Sequence, residues 1–292
     1  MKVIDKKLIS DMIPKRKSDT NKGDFGCVLN IAGNTNYSGA AALSCLGALR
    51  AGAGIVTLAS TETVITRVAA LIPEATFLPL SEENGVISKT AIAEVQKQTE
   101  NCNTVLIGCG IGISADTVSL VGNIVTSVKT PIIIDADGLN IISRNLDILK
   151  HKKSDLILTP HPKEFSRLSG LSVDYIAKNR EQSAKDFAKT HGIYLLLKGK
   201  GTITATPNGE VFCNATGNAG MAKGGSGDIL AGMIAGFTAQ KIPLKESCII
   251  ATYIHGLAGD IAKSEYTEIS MLPTDIVNAI PKAFKFLTKA EG

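Results

Sequence analysis

The chain has 292 residues, 44% hydrophobic and 20% charged, which is the composition of a well-buried globular protein and excludes a disordered one. Its 31 Lys and Arg stand against 27 Asp and Glu, and the resulting charge of +4 is too even to imply a nucleic-acid partner. Residues 1–19 are charged and lack the apolar core of a signal peptide, and no run of roughly 18 apolar residues exists to span a membrane.

Short β-branched runs alternate with helical patterns along the chain. Strands are expected at 28–32, 55–59, 104–108, 131–135, 155–159 and 193–198. Between and after them, helices are expected at 39–51, 61–71, 89–99, 115–129, 139–150 and 173–190. Strands that are apolar throughout need cover on both faces, so the fold class is α/β, a mostly parallel central sheet flanked by helices on both faces. Residues 202–206 and 210–214, joined by Pro207-Asn208-Gly209, read as an edge β-hairpin, because Asn-Gly tolerates the positive φ of a tight turn. The last third is helical, at 227–240, 244–263 and 274–289. No linker, repeat or composition shift marks a boundary, so residues 1–292 are expected to form a single domain. The cysteines, at 27, 45, 102, 109, 213 and 248, form no CxxC pair, which argues against a zinc or redox motif and for reduced thiols in a cytoplasmic protein.

In a sheet of this kind ligands sit beyond the carboxyl ends of the strands, and the unusual residues fall there. Lys223-Gly224-Gly225-Ser226-Gly227-Asp228 opens an apolar helix. The anion loop of Gly224, Gly225, Ser226 and Gly227 lets backbone N–H groups converge on one point, and the helix adds the positive end of its dipole. Asp228 stands where a carboxylate could take a proton from a hydroxyl while the amides neutralise phosphoryl charge. The alternative is a first-turn acid that only stabilises its helix. Neither GxxxxGK[S/T] nor GxGxxG occurs, which excludes the two commonest phosphate loops.

Gly33–Ala42 and Gly108-Cys109-Gly110-Ile111-Gly112 are further places where backbone can approach a ligand. Thr159-Pro160-His161-Pro162 is stiffened by its prolines, which makes His161 the best functional candidate among the histidines. His255 reads as a helix packing residue, and His151 and His191 as exposed ones. Lys198-Gly199-Lys200-Gly201-Thr202 sets amines beside a glycine turn, suited to a nucleotide phosphate. Asp135 and Asp137 are candidates for Mg²⁺ held through water, or for helix capping.

Taken in order, these segments resemble the ADP- or ATP-dependent NAD(P)H-hydrate dehydratase family of the ribokinase-like superfamily. The resemblance runs from Lys22-Gly23-Asp24-Phe25-Gly26 through residues 218–232, nearly the whole chain. It implies repair of hydrated NADH or NADPH with ADP, or ATP, as co-substrate, Mg²⁺ as cofactor, a homo-oligomer, commonly a tetramer, and the form without an epimerase domain. It further implies that Ala40, Gly110, His161 and Asp228 contact the hydrated dinucleotide. Lys198, Gly199, Lys200, Gly201, Thr202 and Gly227 would hold the adenine nucleotide, with Asp228 as the base. Cys27, Asn36, Cys109 and Lys163 depart from the residues usual in relatives. The competing functions are a ribokinase-like kinase of a small vitamin-precursor alcohol and a non-catalytic nucleotide sensor.

Overall fold

Isoleucine, leucine and valine runs set the centre of the molecule, seen here in a computed structural model that describes residues 1–13 and 16–288. The chain begins β1 (Lys2–Ile4), α1 (Lys6–Met12), β2 (Cys27–Ile31), α2 (Ser38–Arg50), β3 (Ile55–Thr61), α3 (Glu62–Ala69) and β4 (Thr76–Leu80). A small hairpin, β5 (Glu82–Glu83) and β6 (Val86–Ile87), precedes α4 (Ile92–Thr99), β7 (Thr104–Ile107), α5 (Ala115–Ser127), β8 (Ile132–Ile134) and α6 (Asp137–Ile142). Then come β9 (Leu156–Leu158), α7 (Pro162–Ser169), α8 (Val173–Lys178), α9 (Arg180–His191) and β10 (Tyr194–Leu197). The chain closes with β11 (Ile203–Ala205), β12 (Val211–Asn214), α10 (Ser226–Ala239), α11 (Leu244–Ser270) and α12 (Pro273–Thr288).

Among the described residues the main sheet has ten strands, in the order β1-β12-β11-β10-β9-β8-β7-β2-β3-β4. The seven from β10 to β4 are parallel. The hairpin β11–β12 is antiparallel and lies at the expected end of the sheet, where β1 adds beyond it in parallel to β12. Successive residues of one strand face opposite layers. Ile133 thus joins a core with α2, α10, α11 and α12, while Ile132 and Ile134 join one with α4, α5 and α7.

Several boundaries differ from the sequence reading. β4 is an addition to the expected strands; it carries Pro79 and occupies the sheet edge, where a missing N–H is tolerated. The helix expected at 139–150 stops at Ile142 and resumes as a 3₁₀ turn, Leu146–His151, capped by Asn145. The one expected at 173–190 breaks at Asn179, whose φ of −130° and ψ of 37° are not helical. α11 outruns 263 to Ser270 across a kink at Thr267, where φ is +66°. Residue 289, the end of the expected last helix, lies outside the described residues.

Two glycine-dependent features place the site. α2 and α10 pack backbone against backbone: a Cβ on Gly232 would lie 2.0 Å from the Ser44 carbonyl oxygen. The Ala- and Gly-rich sequences of these helices are therefore a contact requirement. At the head of α10, Gly225 has φ +103°, a conformation a side chain rarely adopts, and a Cβ there would meet Leu43 at 2.4 Å. The sheet order reverses between β2 and β7, and the loops after them meet there, the Gly33 N–H donating to the Cys109 carbonyl at 2.9 Å; such a reversal is where open α/β sheets bind ligands.

Candidate functional site

The loops after β8, β9 and β10 and the head of α10 enclose a cleft of about 1020 Å³. Asp135, His161, Lys198 through Thr202, Gly224 through Asp228 and His255 line it. Polar backbone and a few charged groups converge there on an otherwise apolar pocket, the usual make-up of a ligand site.

Its floor is an ion pair. The Lys198 Nζ lies 2.7 Å from Asp135 Oδ1, with side-chain exposures of 18% and 2%. Burial works against the Lys198 charge, but Asp135, Glu164 and Asp228 outweigh it and hold the ammonium above its usual range. The loop carrying Lys198 is fixed by its own N–H, which donates to the Pro160 carbonyl at 2.9 Å. Arg180 fixes it from below, donating to the carbonyls of Leu197 at 3.0 Å and Gly201 at 3.3 Å. Lys200 is exposed.

Asp228 stands in the first turn of α10, where the N–H groups have no intrahelical acceptors. Its carboxylate, the Asp135 carboxylate and the Cys109 sulfur offer atoms that all lie within 4.8 Å of one another. Burial first, and then the Asp135 charge, push the Asp228 carboxyl up to about 7, while Cys109 and Lys198 oppose the shift. A carboxyl poised there exchanges a proton near neutrality, as a general base must. Lys223, also in the cleft wall, donates to the carbonyls of Ile269 and Met271 and so ties the glycine loop to the end of α11.

His161 is the N-cap of α7. Its Nδ1 accepts from the N–H groups of Lys163 at 3.1 Å and Glu164 at 3.2 Å, and Glu164 Oε2 accepts from the His161 N–H at 2.8 Å. This reciprocal box, with Pro162 at the first helical position, fixes the ring beyond what the prolines alone would do. An accepting Nδ1 leaves the proton on Nε2, 3.4 Å from Glu164 Oε1. Burial, and then Lys198, lower the His161 pKa, so the ring is neutral at neutral pH; burial raises the Glu164 carboxyl to about 6.

Ala40 and Gly110 meet at the sheet reversal, outside the residues lining the cleft. A Cβ on Gly110 would lie 2.9 Å from the Ala40 Cβ and 2.8 Å from that of Tyr37. Asp137 Oδ2 accepts from the Gly112 N–H at 2.9 Å. The structure thus brings together Asp135, His161, Lys198 and the glycine loop before α10, while Asp137 lends one oxygen to Gly112.

Sequence reasoning missed Arg180 and Asp260, which accepts from the Gly217 N–H at 2.9 Å and from Asn218 Nδ2 at 3.0 Å and so anchors the approach to the anion loop. Both reach the site across many residues, and no local signal marks them. His255 packs as expected yet also walls the cleft, its burial lowering the pKa to about 4. His151 is exposed as expected, whereas His191 is half-buried against Phe187, with ring centroids 4.4 Å apart.

The architecture is ribokinase-like. A hydroxyethylthiazole kinase from Pyrococcus horikoshii superposes with a TM-score of 0.57 over 82% of this chain and 91% of that one, at 18% identity, a likeness of fold alone. A family profile described as NAD(P)H-hydrate dehydratase matches residues 28–282, and the chain belongs to that family. The ADP-dependent (S)-NAD(P)H-hydrate dehydratase of Bacillus subtilis is 32% identical over 273 residues, covering 94% of each chain. The Bacillus subtilis ADP/ATP-dependent NAD(P)H-hydrate dehydratase co-crystallised with ATP/Mg²⁺ superposes with a TM-score of 0.88 over 98% of both chains, at 30% identity. The bifunctional NAD(P)H-hydrate repair enzyme Nnr of Thermofilum pendens is 34% identical over 94% of this chain, which spans 53% of that protein's length. The chain thus spans about half the length of such bifunctional relatives.

Proposed function

We propose that the chain is an ADP-dependent (S)-NAD(P)H-hydrate dehydratase, restoring NADH or NADPH from the hydrated cofactor while ADP becomes AMP and phosphate. The observation that carries this reading is Asp228, a carboxyl pushed up to about 7 by burial, in the first turn of the glycine-led helix α10 beside Asp135 and Lys198. Its family membership over residues 28–282 supplies the substrate class.

In this reading one domain holds both ligands. Ala40, Gly110, His161 and Asp228 contact the hydrated dinucleotide, which lies along the loops after β2 and β7. Lys198, Gly199, Lys200, Gly201, Thr202 and Gly227 hold the adenine nucleotide. Asp228 takes the proton of the ring hydroxyl, whose oxygen attacks the terminal phosphoryl group and displaces AMP. The new phosphate ester departs with help from the ring nitrogen lone pair, and loss of a proton from the adjacent ring carbon restores the reduced nicotinamide. The N–H groups of Gly224, Gly225, Ser226 and Gly227 take up the phosphoryl charge, where positioning and electrostatics supply most of the rate.

Asp135 offers the hard carboxylate oxygen that Mg²⁺ favours, through water and beside the nucleotide's phosphates. The Cys109 sulfur does not suit that ion. When bound, Mg²⁺ would supply neutralisation of phosphate charge. The enzyme works in the cytoplasm as a homotetramer.

The test is a repair assay with hydrated NADH or NADPH, run in parallel with ADP and ATP. Reappearance of the reduced-nicotinamide absorbance with ADP, together with release of phosphate, is the expected result. Absence of recovery with either nucleotide would remove the dehydratase reading and return the kinase of a small alcohol to first place.

A further inference from the structure

At the end of β2 and β7 opposite the cleft, two thiols face one another. The Sγ atoms of Cys27 and Cys102 lie 3.0 Å apart, joining chain segments 75 residues distant. Backbone pairing fixes the approach: the Asn103 N–H donates to the Cys27 carbonyl at 2.9 Å, and the Cys27 N–H donates to Asn103 Oδ1 at 2.9 Å. A disulfide needs the sulfurs at about 2.05 Å, so about 1 Å of approach separates the two thiols from a bond. Cys102 is buried, at 8% exposure, while Cys27 is half-buried.

We propose that Cys27 and Cys102 are a reversible dithiol–disulfide pair, oxidised by a small-molecule disulfide and bridging β2 to β7. The difference in exposure assigns the order of events, with the half-buried Cys27 meeting the reagent first. Hydrogen bonding from Cys102, against the effect of burial and with help from Thr57, lowers the Cys27 pKa, whereas the same contact and burial raise that of Cys102. The Cys27 thiolate attacks one sulfur of the small disulfide, forming a mixed disulfide and releasing one thiolate. The Cys102 thiol then gives up its proton and attacks the Cys27 sulfur, forming the protein disulfide and expelling the second small thiol. Two protein thiols are oxidised and one small disulfide is reduced to two thiols. The other buried cysteines, Cys45, Cys109 and Cys248, are fully enclosed at 0% exposure and stay reduced while the protein is folded.

The test uses the whole chain and oxidised glutathione. The folded, reduced protein is incubated with it, free thiols are blocked with an alkylating reagent, and the intact mass and tryptic peptides are measured. The expected product has lost about 2 Da before alkylation, as one disulfide requires. It links peptide 23–50 to peptide 98–129, with fragmentation placing the bond at Cys27 and Cys102 rather than at Cys45 or Cys109. Cys102→Ser should instead retain one glutathione on Cys27, and Cys27→Ser should take up none at Cys102. Closing so long a loop should raise the Tm of the oxidised wild type by roughly 5 °C, and dithiothreitol should reverse it. A wild type that keeps both thiols free, or that carries a stable glutathione adduct without the cross-link, overturns the proposal.

Discussion

The Lys198 ammonium is locked to the Asp135 carboxylate at 2.7 Å, although the two residues leave strands separated by β9 in the sheet. Lys198→Met would leave Asp135, only 1% exposed, as a buried charge without its partner. Losing one member of a buried pair costs about 3–5 kcal/mol. Urea denaturation should show that loss, and the double variant Lys198→Met/Asp135→Asn should recover part of it. Nucleotide affinity should stay weak in both.

The pH dependence follows from Asp228. Its carboxyl is raised to about 7, and only the ionised form accepts a proton. kcat/KM should therefore fall tenfold per unit as the pH drops below about 7. Stability moves the other way. Between the ordinary value of 3.8 and about 7 the folded state holds a proton that the unfolded chain has released, so stability declines as pH rises through this window. Asp228→Asn should then be the more stable protein above about 7, by on the order of 1 kcal/mol. Thermal melts across that range check the sign.

His161 joins structure to binding, because one ring caps α7 and faces the cleft. His161→Ala should destabilise the fold by about 1 kcal/mol, the usual loss for an N-cap. It should also raise KM for the hydrated dinucleotide while leaving nucleotide affinity nearly unchanged. Steady-state kinetics with each ligand varied separately tests the split.

Contact between α2 and α10 is equally specific. Gly232→Val would drive a side chain into the Ser44 carbonyl, which a Cβ alone would approach to 2.0 Å. The two helices must separate, at roughly 1–3 kcal/mol or more, and the anion loop moves with α10. A lowered Tm together with weakened nucleotide binding is the expected outcome.

These relationships were unequally visible in the sequence. The parallel sheet was legible because Ile132, Ile133 and Ile134, and runs like them, are apolar at every position. The anion loop and Asp228 were legible because glycines followed by a small-residue helix form a local pattern. β1 and β4 were not, since one lies in a charged terminus and the other carries Pro79 at an edge. The hydrogen bond that Asp137 accepts from the Gly112 N–H was not legible, because spacing cannot show it. Arg180, Asp260 and the Cys109–Asp228 contact depend on tertiary proximity, which no periodicity records.

Asp228 carries the central claim, and one variant tests it. Asp228→Asn keeps the shape of the side chain and the amide nest but cannot accept the proton. With hydrated cofactor and ADP, phosphate release should fall by about 10²–10⁴-fold while the dissociation constant for ADP changes little. Turnover retained at the wild-type rate in a variant that still binds ADP would contradict the account.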